Sequence, residues 1–240
     1  MAAIALAGGV ITSNAQVYSQ NIVGYVSRIY SNGFVQIANP VDISAGNSLT
    51  NVFPNSGGTL DGSTVDIWNG SSFTLYTMDS SFPTGVGDAS DANPVTAPTV
   101  LPGQLIYLNN LSGVKITNVL AGTVHVEGGQ TGSNVGSTTN VCTTGFNFVA
   151  SKIAVGGGAT TVLQMSNPGG ILDGSTLQIP NINAAGQFLG YNVFTFDSGF
   201  PSGFGDASDA NPAPEPQIPV GTGFIFNNLS GSTYNWIQSY

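Results

Sequence analysis

Carboxylates are the residues of this chain best equipped for chemistry, since it carries twelve Asp and Glu against three Lys and Arg, one His and one Cys. Eight of the twelve fall into pairs at matched positions: Asp61 and Asp173, Asp79 and Asp197, Asp88 and Asp206, Asp91 and Asp209. The last two pairs sit in one recurring stretch, Gly85-Val86-Gly87-Asp88-Ala89-Ser90-Asp91-Ala92-Asn93-Pro94, which returns as Gly203 to Pro212 with a single substitution. Asp88, Asp91 and Asn93 offer several oxygens within six residues. That is the ligand type Ca²⁺ takes, and Asp79 and backbone carbonyls can complete a shell. Asp197, Asp206, Asp209 and Asn211 would form the equivalent second site. The spacing is not that of an EF-hand loop, whose ligands alternate. The competing reading is that these side chains accept backbone N–H bonds in Asx-turns and hold the loop without metal.

Other chemistries find less support. Phe196-Asp197-Ser198-Gly199 has the form of an aspartic-protease motif, where two Asp share a proton. Its partner copy, Met78-Asp79-Ser80-Ser81, lacks the glycine, and both run into Pro- and Gly-rich sequence. A glycosidase-like carboxylate pair has no spacing in its favour. His125, in the alternating run Val124-His125-Val126-Glu127, is expected to point to solvent, and with Cys142 it cannot make a zinc site of ordinary type. Cys142 reads as a small buried hydrophobe. Trp68, Tyr76, Tyr107 and Trp236 can present flat faces to a sugar ring, or can pack as core and cross-strand neighbours. Asn69-Gly70-Ser71, Asn110-Leu111-Ser112 and Asn228-Leu229-Ser230 match the glycosylation pattern.

The elements that must hold these residues also come in two copies. Gly33-Phe34 recurs at Gly145-Phe146, and Leu60-Asp61-Gly62-Ser63-Thr64 at Leu172 to Thr176, both 112 residues on. From Asp79 onward the interval is 118, and it holds through Asn109 to Gly113 and Asn227 to Gly231. Six extra residues therefore lie between Thr176 and Asp197, with Pro180 to Gly186 as the lengthened loop. A repeat of this length is a unit that can bury its own core. Alternating β-branched and aromatic runs predict strands at Asn21 to Tyr30, Phe34 to Ala38, Thr64 to Trp68, Phe73 to Met78, Gln104 to Leu108, Val114 to Leu120 and Thr123 to Glu127. Ser31-Asn32-Gly33 and Asn69-Gly70 read as hairpin turns. Ser44 to Phe53 has room for a helical turn or two ending at Pro54. Residues 79–102 form a long ordered loop. No long stretch has helical periodicity. The expected class is all-β, as two tandem homologous units of β-sandwich or barrel-like form.

With 6% charged residues and a formal charge of −9, the chain would repel a phosphate backbone and an anionic membrane, so nucleic-acid partners are not expected. Ala2 to Ile11 is apolar and Ser13-Asn14-Ala15 suits a signal-peptidase site, although no basic n-region precedes it. The alternative is an apolar strand retained and donated to a neighbour's sheet edge. The expected organisation is residues 1–15 as leader or apolar segment, 16–127 as first unit, 128–139 as a Gly/Ser/Thr-rich linker and 140–240 as second unit, with no integral membrane segment in the mature chain.

Val17-Tyr18, Val23-Gly24-Tyr25, Gly33-Phe34 with Ile37-Ala38-Asn39-Pro40, the Asp-Gly-Ser turn and Leu101-Pro102-Gly103 together resemble secreted β-rich repeat proteins of Verrucomicrobia-type bacteria. The second copy departs from the pattern, with Ala150-Ser151-Lys152 in place of Ala38-Asn39-Pro40. The resemblance implies export and architecture and supplies no catalytic residue. The expected role is an exported, non-enzymatic structural or self-assembling protein, its partners being copies of itself or an extracellular matrix or polysaccharide. A carbohydrate-binding module is the alternative, and an acid-dependent hydrolase the third reading. No cofactor other than calcium is expected.

Overall fold

A computed structural model describes residues 23–125 and 136–239. Residues 1–15, expected to be a leader or apolar segment, therefore lie outside the described residues. In the first half the chain runs β1 (Val23–Tyr30), β2 (Gly33–Ala38), one helical turn α1 (Leu49–Val52), β3 (Thr64–Trp68), β4 (Phe73–Met78), β5 (Val86–Gly87), β6 (Leu105–Asn110) and β7 (Ile116–Thr123). β2, β6, β3, β4 and β5 form, in that order, a five-stranded antiparallel sheet, and β1 pairs with β7 in a second sheet. One core lies between them. Val26, Tyr30 and Leu120 reach it from the smaller sheet, and Val35, Ile37, Val65, Ile106 and Leu108 from the larger.

The second half repeats this order. β8 (Ser137–Cys142), β9 (Gly145–Val149), β10 (Gly157–Gly158), β11 (Thr176–Ile182), β12 (Phe188–Phe196), β13 (Phe204–Gly205), β14 (Gln217–Ile218), β15 (Phe224–Asn228) and β16 (Tyr234–Ser239) follow in turn. The larger sheet has the order β9-β15-β11-β12-β13, matched strand for strand to the first, and β8 pairs with β16 as β1 does with β7. β10 pairs with β14 where the first half has only the Ser48–Thr99 bridge. The all-β class and the two similar halves stand as expected.

Several local expectations hold for plain reasons. β3 and β4 form the predicted hairpin with Trp68 opposite Phe73, and Asn69 Oδ1 accepts the Ser71 and Ser72 N–H groups in its turn. α1 is capped by Ser48, whose Oγ accepts the Asn51 N–H at 3.3 Å, and it buries Leu49 and Val52.

Others need correction. Ser31-Asn32-Gly33 is not a hairpin turn: β1 pairs with β7 and β2 with β6. Both strands carry apolar residues for the same core, so the chain uses Gly33, at φ +93°, to pass from one layer to the other. The expected break between Val114 to Leu120 and Thr123 to Glu127 is absent as far as the described residues go, Val126 and Glu127 lying outside them. β7 runs unbroken from Ile116 to Thr123, and Gly122 is there because a Cβ would lie 2.2 Å from the Asp42 carbonyl oxygen. β8 begins at Ser137, so the end of the 128–139 stretch is sheet, and residues 126–135 lie outside the described residues. The inserted segment is also partly strand. Pro180 to Ile182 extend β11, leaving a turn in which Asn183 Oδ1 accepts the Ala185 and Gln187 N–H groups. Finally, Val86–Gly87 gives the 79–102 loop a short strand of its own.

The halves meet through reciprocal contacts. Ala38 N–H donates to the Gly221 carbonyl at 3.1 Å, and the equivalent Ala150 N–H donates to the equivalent Gly103 carbonyl at 2.9 Å. Gln36 bonds Tyr191, and at the equivalent positions Phe148 meets Phe73, with ring centroids 4.9 Å apart. This is the signature of an isologous interface, built here within one chain. The outer faces of the two large sheets are thus turned toward each other.

Candidate functional site

Each acidic loop is a closed hydrogen-bonded device. Asp88 Oδ1 accepts the Ser90 N–H (3.0 Å), the Ser90 hydroxyl (2.7 Å) and the Ala92 N–H (3.1 Å), and Asn93 Nδ2 donates to Oδ2 at 2.8 Å. Asp206 repeats the set with Ser208, Ala210 and Asn211 at 3.0, 2.7, 3.2 and 2.8 Å. Asp91 and Asp209 hold matching left-handed conformations, φ 56° and 57°. The loop is therefore shaped by its own turn chemistry, as the Asx-turn reading requires.

A second clamp fastens the loop's start. Asp61 accepts the Ser80 N–H at 2.8 Å and hydroxyl at 2.7 Å, while Asn55 Nδ2 donates to it at 2.6 Å. Asp173 does the same with Ser198 and Asn167. Asp61 and Asp173 stand among the matched carboxylates of the sequence but not among the expected calcium ligands. The matched pairs Asn55/Asn167 and Ser80/Ser198 were the available signal of this clamp. Asp79 and Asp197 cap locally, accepting the Ser81 and Gly199 N–H groups, each at 2.7 Å.

The electrostatics follow this geometry. The Asn93 and Ser90 bonds hold the Asp88 carboxyl well below the usual carboxylate range, and Ser208 and Asn211 do so for Asp206. Asp91 is pushed upward, first by desolvation and then by Asp79, Asp61 and Asp88; Asp209 is raised by desolvation and by Asp197, Asp173 and Asp206. The charges acting on each loop come from its own half. Among the described residues no three His, Cys, Asp or Glu side chains are placed together as metal ligands.

The aromatic candidates separate into two groups. Trp236 is fully buried in the second core, its Nε1 donating to the Leu163 carbonyl at 2.6 Å, and Tyr76 packs half-buried against the first core. Trp68 and Tyr107 instead lie at the seam. Trp68 meets Phe73 at 5.0 Å and Phe148 at 4.6 Å, and the Tyr107 and Tyr191 hydroxyls are 3.1 Å apart. Beside them is a cavity of about 450 Å³ walled by Phe34, Phe73, Tyr107 and Phe188, with Asp66 and Gln36 as its polar groups.

His125 does not simply face solvent: its Nδ1 lies 2.7 Å from Asp42 Oδ2. The pair ties the chain beyond β7 to the segment after β2, which bridges Thr123 through Asp42. Cys142 is buried and free, and burial pushes its thiol up to about 12. Asn110 and Asn228 are fully buried with their amides engaged, so these two sequons are structural rather than glycan acceptors.

Exposed apolar side chains are spread over the surface, and some of them recur at matched positions on the outer faces of the two small sheets. On β1 and β7 these are Tyr25 (67% exposed), Ile29 (64%) and Val119 (47%); on β8 and β16 they are Val141 (63%) and Ile237 (51%). Ile29 and Val141 are equivalent positions, as are Val119 and Ile237. The register sets Ile29 diagonally across from Val119, and Val141 diagonally across from Ile237. Apart from the Asp42–Thr123 bridge, the described strands of these sheets pair only with each other. Comparison with protein-family models, with curated proteins and with solved structures gave no match to this chain.

Proposed function

We propose that this chain is an exported, non-enzymatic structural protein of the cell surface or an extracellular matrix, and that it assembles with copies of itself. The observation that carries the reading is the repeated apolar diagonal, Ile29 with Val119 and Val141 with Ile237, on the solvent side of both small sheets. Solvent-facing positions of antiparallel strands ordinarily alternate to polar residues, and paired exposed apolar patches mark contact surfaces. One such face per molecule would close as a dimer. Two equivalent faces let association continue from copy to copy. Among the described residues, apart from the Asp42–Thr123 bridge, these strands form ladders only with each other, and edge backbone groups not otherwise bonded add donors and acceptors beside the patches. Six of the eight duplicated carboxylates, Asp61, Asp79, Asp88 and their partners Asp173, Asp197 and Asp206, are occupied in loop-holding bonds, which fits a scaffold better than a reaction centre. Export rests on the apolar leader and on the resemblance to secreted β-rich repeat proteins.

Sedimentation velocity and electron microscopy test this. The wild type is expected to show species growing with concentration, and Ile29→Asp with Ile237→Asp should leave a folded monomer. A wild type that stays monomeric at high concentration overturns the proposal.

A further inference from the structure

A row of side chains crosses three adjacent strands of the first large sheet: Gln36 on β2 opposite Tyr107 on β6, and Tyr107 opposite Asp66 on β3. All three face the seam cavity, whose remaining walls are Phe34, Val35, Phe73 and, from the second half, Phe188. The equivalent row on the second sheet reads Phe148, Ile225 and Gln178, so the acid belongs to one half only. Asp66 is thus not among the duplicated carboxylates that hold loops.

The other unmatched acids of the described residues have evident employment. Asp42 meets His125, and Glu215 accepts four bonds from Thr160 and Thr161. Among the described residues Asp66 has no side-chain hydrogen bond and no ion pair, and burial raises its carboxyl above the ordinary value. A partly desolvated carboxylate without a donor is a cost that an opposite charge would relieve. Gln36, 3% exposed, adds a buried Oε1 with no partner. The rings supply the rest, because Phe and Tyr faces attract cations and cover alkyl groups. No Lys or Arg lines the cavity, and its 450 Å³ lies in the range of small-molecule sites, roughly 300–1,000 Å³. A sugar would ask for more hydrogen-bonding groups than these, since the Tyr107 hydroxyl is already spent on Tyr191.

We propose that the seam cavity binds an organic ammonium ion, its charge on Asp66 and its apolar body against Phe34, Phe73, Tyr107 and Phe188. The lengthened β11–β12 hairpin then has a purpose, because it carries Phe188 across to complete the walls. Trp68, in contact with Phe73, provides a fluorescence reporter.

The test titrates the full chain with benzylammonium, with its neutral analogue benzyl alcohol and with a methyl glucoside. Benzylammonium is expected to saturate, with benzyl alcohol at least about tenfold weaker. Asp66→Asn should weaken benzylammonium by at least about tenfold while leaving benzyl alcohol unchanged. Phe188→Leu, away from both main cores, should weaken both ligands. Equal affinity for amine and alcohol, indifference to Asp66→Asn in a variant of unchanged melting temperature, tighter binding of the glucoside, or no saturation by benzylammonium would each overturn the proposal.

Discussion

Single side chains do most of the loop-building in this protein, and asparagine and aspartate carry it. Asn110 shows the pattern: buried, it donates to the Ser31 and Val114 carbonyls and accepts the Ser112 N–H and hydroxyl. Asn228 repeats the arrangement around Cys142, Ser230 and Ser232. Removing a side chain that satisfies several buried backbone groups leaves those groups unpaired. Asn110→Ala should therefore cost on the order of 2–3 kcal/mol in denaturant unfolding. Asn228→Ala should cost a similar amount.

The carboxylates predict a pH response of known sign. Asp88 and Asp206 have depressed native pKa values, so the stability they add is present above the unfolded value and is lost as pH falls toward the native one. Asp91 and Asp209 are raised, so their ionised forms weigh against the fold at neutral pH, a penalty relieved as they protonate. An NMR titration should place Asp88 and Asp206 below, and Asp91 and Asp209 above, ordinary aspartate.

At the level of strands and loops, the six added residues of the second copy are the informative difference. They lengthen the β11–β12 hairpin, and its turn reaches the first half, where Ser31 Oγ donates to the Ala185 carbonyl at 2.6 Å. Trimming this hairpin to the four-residue Asn69-Gly70-Ser71-Ser72 turn of the first copy should leave both cores intact. It should also remove Phe188 from the cavity and abolish ammonium binding in the fluorescence titration. Retained affinity after trimming would show that the hairpin is not part of the site. The small sheets present the contrasting case, with apolar diagonals on their solvent faces.

For the molecule as a whole, the reciprocal seam couples two cores that are otherwise separate. One close approach across it is at Gly223, where a Cβ would lie 2.7 Å from the Leu105 side chain and 3.1 Å from the Ile37 carbonyl. Gly223→Val should force the sheets apart without touching the centre of either core. Calorimetry of the wild type should show one transition, and the variant should show two. A variant that still melts in one step would mean that coupling runs elsewhere.

What the sequence determined by itself is whatever is encoded within a few residues or in their repetition. The duplication, the β3–β4 hairpin, the helical turn after Ser48 and the self-held acidic loops all rest on turn chemistry and two-residue alternation, which read locally. Tertiary structure alone decided which strand β1 pairs with, that β7 is one strand, that His125 meets Asp42, and that Trp236 is core while Trp68 and Tyr107 face the seam. Those outcomes depend on burying apolar faces against segments about 100 residues away, as in the pairing of Val23 with Thr123. An alternating run states that a strand has an inner face; only the packed chain supplies the surface it meets.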